Sequence, residues 1–157
     1  MSSILTENLT PLAKEGWRVL DHGAGIGTMT LILAAGNEVD CWEPNRYLRK
    51  FIEWRVRQFD RKVNFINGNK LNVGYDMAIS FHVLEHISRP EAVAQEVVTA
   101  LKPGGLLFAD ADFSNPSGKH PMHHISKDDP NGSSYWRGEG LERLSDLWWR
   151  KPERKGV

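Results

Sequence analysis

A glycine-rich turn follows an aspartate in the sequence RVLDHGAGIGTMT, residues 18–30. Gly23, Gly25 and Gly27 alternate with other residues, so the backbone there can adopt positive φ and approach a ligand closely. The dinucleotide fingerprint G-x-G-x-x-G needs its third glycine one position later, where this chain has Thr28. Because a pyrophosphate at a helix N-terminus favours positive potential, the carboxylate of Asp21 argues against a phosphate and for a cationic ligand.

A second acidic residue, Glu43, lies at the end of the second predicted strand, 18 residues after Gly25. An acidic side chain in this place can accept hydrogen bonds from both hydroxyls of a ribose. S-adenosylmethionine combines such a ribose with a sulfonium and an α-ammonium, and it has no phosphate. The two motifs together therefore predict S-adenosylmethionine as the cofactor.

Histidines supply the candidate bases, and five of the six lie at or beyond the end of the fourth predicted strand: His82, His86, His120, His123 and His124. Methyl transfer from this cofactor is an in-line displacement, so the protein must orient the acceptor and remove its proton. His82 and His86 are the candidate catalytic residues. The alternatives are that His82 only lines the cofactor floor, that His86 packs beneath the loop, and that HPMHH (residues 120–124) is a polar loop. The spacing of His82 and His86 alone does not predict a metal site.

Short apolar segments alternate with longer segments of helical period, which is typical of βαβ units. The predicted strands are WRVLD, EVDCWE, KVNFI, YDMAISF and LLFAD, and the predicted helices cover MTLILAAG, residues 45–59 and residues 88–101. The residues expected to face the sheet are Leu48, Phe51, Ile52 and Val56 in the second helix and Ala94, Val97, Val98 and Leu101 in the third. Right-handed crossovers turn this chain into an α/β, doubly wound, mostly parallel Rossmann-like sheet of order 3-2-1-4-5, with ligands at the carboxyl ends of its strands.

Four motifs, VLDHGAGIGTMT, DCWEPN, YDMAISFHVLEHI and LKPGGLLFAD, occur in this order along residues 15–112. In these motifs the chain resembles the class I S-adenosylmethionine-dependent methyltransferases. It is most similar to the small-molecule branch, in which the fourth strand ends in an HVLEHI-type sequence. The resemblance implies an enzyme that transfers a methyl group to a small-molecule acceptor.

The resemblance also implies a set of cofactor-binding residues: Asp21, Gly23, Ala24, Gly25, Gly27, Glu43, Pro44, Gly68, Asn69, Phe81 and His82. The glycine loop with Asp21 would hold the methionine moiety, and Glu43 would hold the ribose. The pair Gly68–Asn69 would meet the adenine amino edge, where the family more often has aspartate; an amide oxygen can still accept that hydrogen bond. Phe81 and His82 would line the floor beneath the sulfonium. Trp42, by contrast, is interpreted as a core residue.

The carboxyl-terminal part departs from the family pattern. Residues 1–157 are interpreted as one domain with a cofactor-binding core at 15–112, followed at 113–157 by an irregular loop, a short helix from Leu141 and a basic tail. Strands six and seven of the family are apparently absent. The edge of strand five must then be covered by the tail or by a second chain, either a homodimer or another partner. The aromatic residues available for this cover are Tyr135, Trp136, Trp148 and Trp149.

Composition limits the remaining classes of function. Twenty basic and twenty acidic residues cancel, so neither nucleic acid nor an anionic membrane is an expected partner. The single Cys41 cannot form an internal disulfide, and the first residues lack the pattern of a secretory signal. A cytoplasmic location is therefore expected.

The sequence predicts S-adenosylmethionine-dependent methyl transfer to a hydroxyl or amine of a small molecule. One alternative is an S-adenosylmethionine-binding module without catalysis of its own, or the partner-dependent half of an assembly. A nicotinamide-dependent oxidoreductase is disfavoured by the position of the third glycine and by Asp21.

Overall fold

The computed structural model describes residues 14–68, 70–114 and 122–153. Its sheet contains β1 (Arg18–His22), β2 (Glu38–Trp42), β3 (Val63–Phe65), β4 (Tyr75–Phe81), β5 (Leu101–Asp110), β6 (Glu142–Arg143) and β7 (Trp148–Arg150). The helices are α1 (Thr28–Leu33), α2 (Arg46–Gln58), α3 (Pro90–Ala100) and α4 (Ser133–Gly138), with a 3-10 turn at Leu84–His86. The order of the strands is β3-β2-β1-β4-β5-β7-β6. The predicted α/β fold and the order 3-2-1-4-5 of its parallel strands are confirmed.

The two central strands, β1 and β4, are parallel neighbours and are buried on both faces of the sheet. Consecutive side chains of a strand point to opposite faces. Leu20 therefore joins the core under α3, whereas Val19 joins the core under α1. This layered packing fixes the carboxyl ends of β1, β2 and β4 next to one another, where the predicted site residues lie.

Helix α2 begins and ends close to its predicted bounds. Its first residue is fixed by Asn45, which caps the helix. The Asn45 side-chain oxygen accepts hydrogen bonds from the backbone N–H groups of Tyr47 and Leu48. Ile52 is buried, as predicted, but the inward placement of Phe51 is wrong, because its side chain is 43% exposed. Phe51 stacks instead against Trp54, at 5.8 Å between ring centroids.

Helix α3 matches its prediction, since the four residues expected to face inward are all buried. It ends at Ala100, and β5 begins immediately after it, so the sequence KPGG at 102–105 belongs to the strand. The carboxyl-terminal segment explains this difference. The Gly104 N–H donates to the Lys151 carbonyl at 2.9 Å, and the Lys151 N–H donates to the Gly105 carbonyl at 2.9 Å.

The predicted absence of strands six and seven is wrong. The antiparallel strand β7 pairs with β5, and β6 pairs with β7. Residues 142–150 therefore form this hairpin and not the helix that was predicted to begin at Leu141. The two neighbouring tryptophans drive the pairing: Trp148 packs against Phe108 at 5.0 Å between ring centroids, and Trp149 is buried in the core on the other face. The sequence left open whether the chain's own tail or a second chain covers the edge of β5. In the structure the chain's own tail covers it.

No helix in residues 14–68, 70–114 or 122–153 is long and apolar enough to cross a membrane.

Candidate functional site

The glycine loop between β1 and α1 depends on three left-handed backbone positions. Gly23, Gly25 and Gly27 have φ of 72°, 58° and 76°. A Cβ on Gly23 would lie 2.5 Å from a methyl of Val83, and one on Gly27 would lie 2.7 Å from a methyl of Ile52. A Cβ on Gly25 would meet nothing within 4 Å. The outer two glycines therefore let the loop pack against its neighbours, whereas Gly25 faces open space that a ligand can occupy.

Strand β2 holds the loop from the other side. The N–H groups of Gly23 and Ala24 approach the Trp42 carbonyl at 2.9 and 3.3 Å. One oxygen of the Glu43 carboxylate accepts from the Gly25 N–H at 2.7 Å, and the other accepts from the Asn45 N–H at 2.8 Å. An ionised carboxylate has about four acceptor sites, so Glu43 retains capacity for two hydroxyl donors.

Asp21 lies beneath the loop and is only 2% exposed. Its carboxylate accepts a hydrogen bond from the Thr30 hydroxyl at 2.5 Å, which ties the end of β1 to α1. Burial raises the pKa of Asp21 to about 6, and the negative charge of Glu43 adds to this effect. The position makes Asp21 a buried charge behind the loop and not a side chain on the cavity surface.

His82 follows β4 in a strained conformation, with φ of 55°. Its N–H donates to the Asp110 carbonyl at 2.8 Å, and its Nδ1 lies 2.9 Å from a carboxylate oxygen of Glu85. Because left-handed backbone is unfavourable for a side chain of this size, the strain marks a position that the surrounding structure enforces. The imidazole is half-exposed and rests edge-on against Phe81 at 4.6 Å between ring centroids.

Glu85 and His82 shift each other's protonation. The hydrogen bond to Glu85 raises the pKa of His82 above its ordinary value. Burial of Glu85 opposes its charge, but the hydrogen bonds from His82 and from the Asp112 backbone hold its pKa below the ordinary value. The Glu85 carboxylate therefore makes His82 a stronger base, because it stabilises the imidazole once a proton has been accepted. Glu85 is not among the residues predicted from the sequence, although its place three residues after His82 was a signal.

One cavity of about 300 Å³ brings half of the predicted site residues together. It is lined by Gly23, Gly25, Trp42, Glu43, Pro44, Leu48, His82, Val83, His86 and Ile87. Five predicted residues do not line it: Asp21, Ala24, Gly27, Gly68 and Phe81. Asn69 and His120 fall outside the described residues.

Trp42 packs against the core, as interpreted from the sequence, and it also lines the cavity, which the sequence did not predict. Its indole N–H donates to the Gly68 carbonyl at 2.9 Å, and its ring stacks on His22 at 4.7 Å between centroids. Burial lowers the pKa of His22 to about 4, so its ring is neutral and serves as a flat support. Its position directly before Glu43 was the sequence signal that could have placed Trp42 at the cavity. The tryptophan thereby connects the Gly68 turn to the wall that Glu43 forms.

Comparison with known proteins gives one family. Residues 1–147 match the model of a family described as "Methyltransferase domain". Thiol S-methyltransferase TMT1B from Rattus norvegicus is 31% identical over 140 residues, which are 83% of this chain and 56% of that protein. The chain thus spans about half the length of this curated relative.

Solved structures share the fold. The [4+2]-cyclase SpnF aligns with a TM-score of 0.75 at 22% identity, over 92% of this chain and 57% of the other. Phosphoethanolamine N-methyltransferase 2 from Haemonchus contortus, in complex with S-adenosyl-L-methionine, aligns with a TM-score of 0.72 at 17% identity, over 88% of this chain and 36% of the other. At these identities the likeness concerns the fold alone.

Proposed function

Because the chain belongs to the class I S-adenosylmethionine-dependent methyltransferase family, we propose that it transfers the cofactor's methyl group to a thiol of a small molecule. One observation carries this proposal: Gly25, Glu43 and His82 line the same cavity at the carboxyl ends of three neighbouring strands. A glycine face, a ribose acceptor and a base are the parts that this reaction requires.

The cofactor fits the charges of the cavity wall. Glu43 would accept hydrogen bonds from the ribose hydroxyls, and the open face of Gly25 would take the methionine moiety. The buried carboxylate of Asp21 would attract the positive groups of that moiety through the loop, which is thin because it has no side chains at Gly23 and Gly25. His82 would then stand near the sulfonium, at the end of β4.

The reaction is a displacement at the methyl carbon. With S-adenosylmethionine bound, a sulfur lone pair of the acceptor would form the new bond to carbon, the bond from carbon to the sulfonium would break, and its electron pair would stay on the cofactor sulfur as S-adenosylhomocysteine. The acceptor proton passes to the imidazole of His82. Alkyl thiols, with a pKa of about 8.5, are within reach of an imidazole base whose pKa Glu85 raises above its ordinary value, whereas alcohols are much weaker acids.

The most specific part of the proposal is the atom that accepts the methyl group. The rat relative is named a thiol S-methyltransferase, which favours sulfur. The hydroxyl or amine acceptor predicted from the sequence remains the alternative. An alkyl thiol, and the alcohol and the amine with the same carbon skeleton, should be incubated with the protein and S-adenosylmethionine, and the methylated products measured by mass spectrometry. Methylation of the thiol supports the proposal, and product only from the alcohol or amine would refute the choice of sulfur.

A binding module without catalysis is the second candidate. A fold neighbour named a cyclase keeps this candidate open, because the fold alone does not fix the reaction. Tight cofactor binding with no turnover on any of the three acceptors would support this candidate.

Replacing Glu43 by alanine should weaken S-adenosylmethionine binding by one to two orders of magnitude, because a hydrogen bond to a charged group contributes about 1.5–3 kcal/mol. Isothermal calorimetry measures the change. Glu38→Ala is the matched control, since Glu38 is an exposed glutamate at the opposite end of the same strand. Unchanged affinity in a folded Glu43→Ala variant would remove Glu43 from the ribose site.

Cofactor affinity should also fall in acid because of Asp21, whose pKa burial raises to about 6. Above this pH the carboxylate is charged and attracts the cationic cofactor; below it the group is neutral and the attraction is lost. If binding lowers the pKa of Asp21 by about one unit, affinity at about pH 5 should be roughly fivefold weaker than at about pH 7. The cofactor's α-ammonium, with a pKa of about 7.7–8.0, stays charged over this range.

Calorimetry at the two pH values measures the difference. Asp21→Asn keeps an acceptor for Thr30 but has no titrating group, so its affinity should lose most of this pH dependence. Two titratable neighbours interact with Asp21. The charge of Glu43 raises the pKa of Asp21, and the charge of Asp21 raises the pKa of Cys41. A pH dependence that is equal in wild type and Asp21→Asn would show that Asp21 is not its source.

A further inference from the structure

Glu85, His86 and His123 form a cluster at the wall of the cofactor cavity, and two of its members, His86 and His123, have no role in the proposed proton transfer. One ligand atom from each residue lies within 4.8 Å of the other two. Glu85 and His86 belong to the 3-10 turn after β4, and His123 comes from the loop before α4. The backbone joins the two segments, because the His124 N–H donates to the Glu85 carbonyl at 2.7 Å.

The Glu85 carboxylate is fully buried, and its two oxygens differ. Oε1 lies 2.9 Å from His82 Nδ1 and accepts from the Asp112 N–H at 3.2 Å. Oε2 is also buried and has no hydrogen-bond partner among residues 14–68, 70–114 and 122–153. A buried carboxylate oxygen without a donor is costly, and a bound cation would remove that cost.

The imidazole of His123 is already oriented. Its Nδ1–H donates to the Asp112 carbonyl at 3.1 Å, which leaves Nε2 as the nitrogen that can bind a metal. A hydrogen bond from the second ring nitrogen to a backbone carbonyl is the usual support of a metal-binding histidine. The His86 ring meets the His123 ring edge-on at 4.5 Å between centroids. The backbone of Asp112 thus positions two of the three side chains, Glu85 through its N–H and His123 through its carbonyl.

We propose that Glu85, His86 and His123 bind one Zn²⁺ ion and leave a coordination position open for the acceptor thiol. Two imidazoles and one carboxylate are a donor set of catalytic zinc sites, in which the fourth position is open. His86 also lines the cofactor cavity, so an ion held by this residue lies at the cavity wall. The site would hold the acceptor sulfur next to the cofactor.

The role of the ion rests on the proposed function, whereas the binding of the ion does not. A thiol that coordinates zinc loses its proton, here to His82 or to solvent, and is held as the thiolate. The thiolate sulfur then forms the bond to the methyl carbon while the carbon–sulfonium bond breaks and its electron pair stays on the cofactor sulfur. No electron donor or acceptor is needed, because the metal keeps its oxidation state.

The binding of the ion is tested by titrating the metal-free protein with Zn²⁺ against a chromophoric chelator. We expect one ion per chain in the wild type. His86→Ala and His123→Ala should each weaken binding by at least the 10–100-fold that loss of a supporting residue typically causes. His124→Ala is the matched control, since only the backbone of His124 contacts Glu85. Binding of less than one ion, or unchanged affinity in both variants, would overturn the site; tighter binding of Fe²⁺ than Zn²⁺ without oxygen would overturn the choice of zinc.

The role of the ion is tested with Co²⁺ in place of Zn²⁺, because cobalt absorbs visible light. Addition of an alkyl thiol should produce a thiolate-to-cobalt charge-transfer band, and His86→Ala should lose it. A cobalt spectrum that the thiol leaves unchanged would overturn the role while the site stands. Absence of methylated thiol from a zinc-loaded protein whose cobalt form shows the band would instead count against the proposed function.

Discussion

Replacement of His82 by alanine should lower turnover by a factor of about 10² to 10⁴, which is the usual contribution of a general base. Affinity for S-adenosylmethionine should stay within a few-fold, because the contacts that hold the cofactor are assigned to the glycine loop and Glu43. The expectation follows from position: His82 ends β4, lines the cavity and is held in a left-handed conformation by the chain around it. Single-turnover rates and calorimetry on the same variant separate the two quantities.

The folding of this variant needs its own check by circular dichroism. His82 is half-exposed, so its removal creates little cavity, but alanine also carries a Cβ and keeps the strain of the left-handed backbone. His124→Ala removes an exposed histidine of the neighbouring loop and should leave turnover unchanged. Equal turnover of wild type and His82→Ala would move the base to His86 or His123, or would mean that the acceptor arrives already deprotonated.

The parallel half of the sheet was predictable because its signals are local and long. β4 has seven residues and is nearly continuous in apolar character, and α2 begins at an asparagine cap, so periodicity and end signals agree. The β6–β7 hairpin was not predictable in the same way. Its strands have two and three residues, which is too short for a pattern of alternation, and Trp148 and Trp149 form strand β7 because β5 offers an unpaired edge.

The candidate site shows the same difference between residues with a local sequence signal and residues whose role depends on contacts across the fold. Gly25 and Glu43 were found because each has a characteristic distance from the end of its strand. The roles of Trp42 and Glu85 depend on contacts across the fold, with the Gly68 carbonyl and with the Asp112 backbone, which no spacing within a motif encodes. Asp21 was found from its charge, but its burial beneath the loop follows from the Thr30 hydroxyl, a partner that the sequence alone did not indicate.

The buried carboxylate of Asp40, in the middle of β2, connects β1, β3, β4 and the loop before β4. It is 1% exposed and accepts hydrogen bonds from Arg18 at 2.8 Å, from Asn64 at 2.9 Å, from Asn72 at 3.3 Å and from the Tyr75 hydroxyl at 2.5 Å. Burial alone would raise the pKa of Asp40, but these hydrogen bonds hold it below the ordinary value. The charged form is therefore the one that the fold stabilises.

Asp40→Ala should accordingly lower the free energy of unfolding by about 3–5 kcal/mol, since it leaves the buried donors without an acceptor. In a chain of this length, that change corresponds to a fall of roughly 10 °C or more in the melting temperature. Asp146→Ala is the matched control: its ion pair with Arg143 is on the surface, so its loss should cost at most about 1 kcal/mol. Urea unfolding followed by circular dichroism measures both variants.

Acid provides an independent check on the same residue. The folded pKa of Asp40 is lowered, so its contribution is complete above the unfolded pKa of about 3.9 and is lost as pH falls through the lower folded value. The stability difference between wild type and Asp40→Ala should therefore narrow below about pH 4. Cofactor affinity, measured at a temperature where the variant is folded, should change little, because Asp40 precedes Glu43 by three residues, or about 10 Å along β2. A variant that binds the cofactor poorly while its unfolding energy is unchanged would mean that this network positions the ribose site rather than stabilising the sheet.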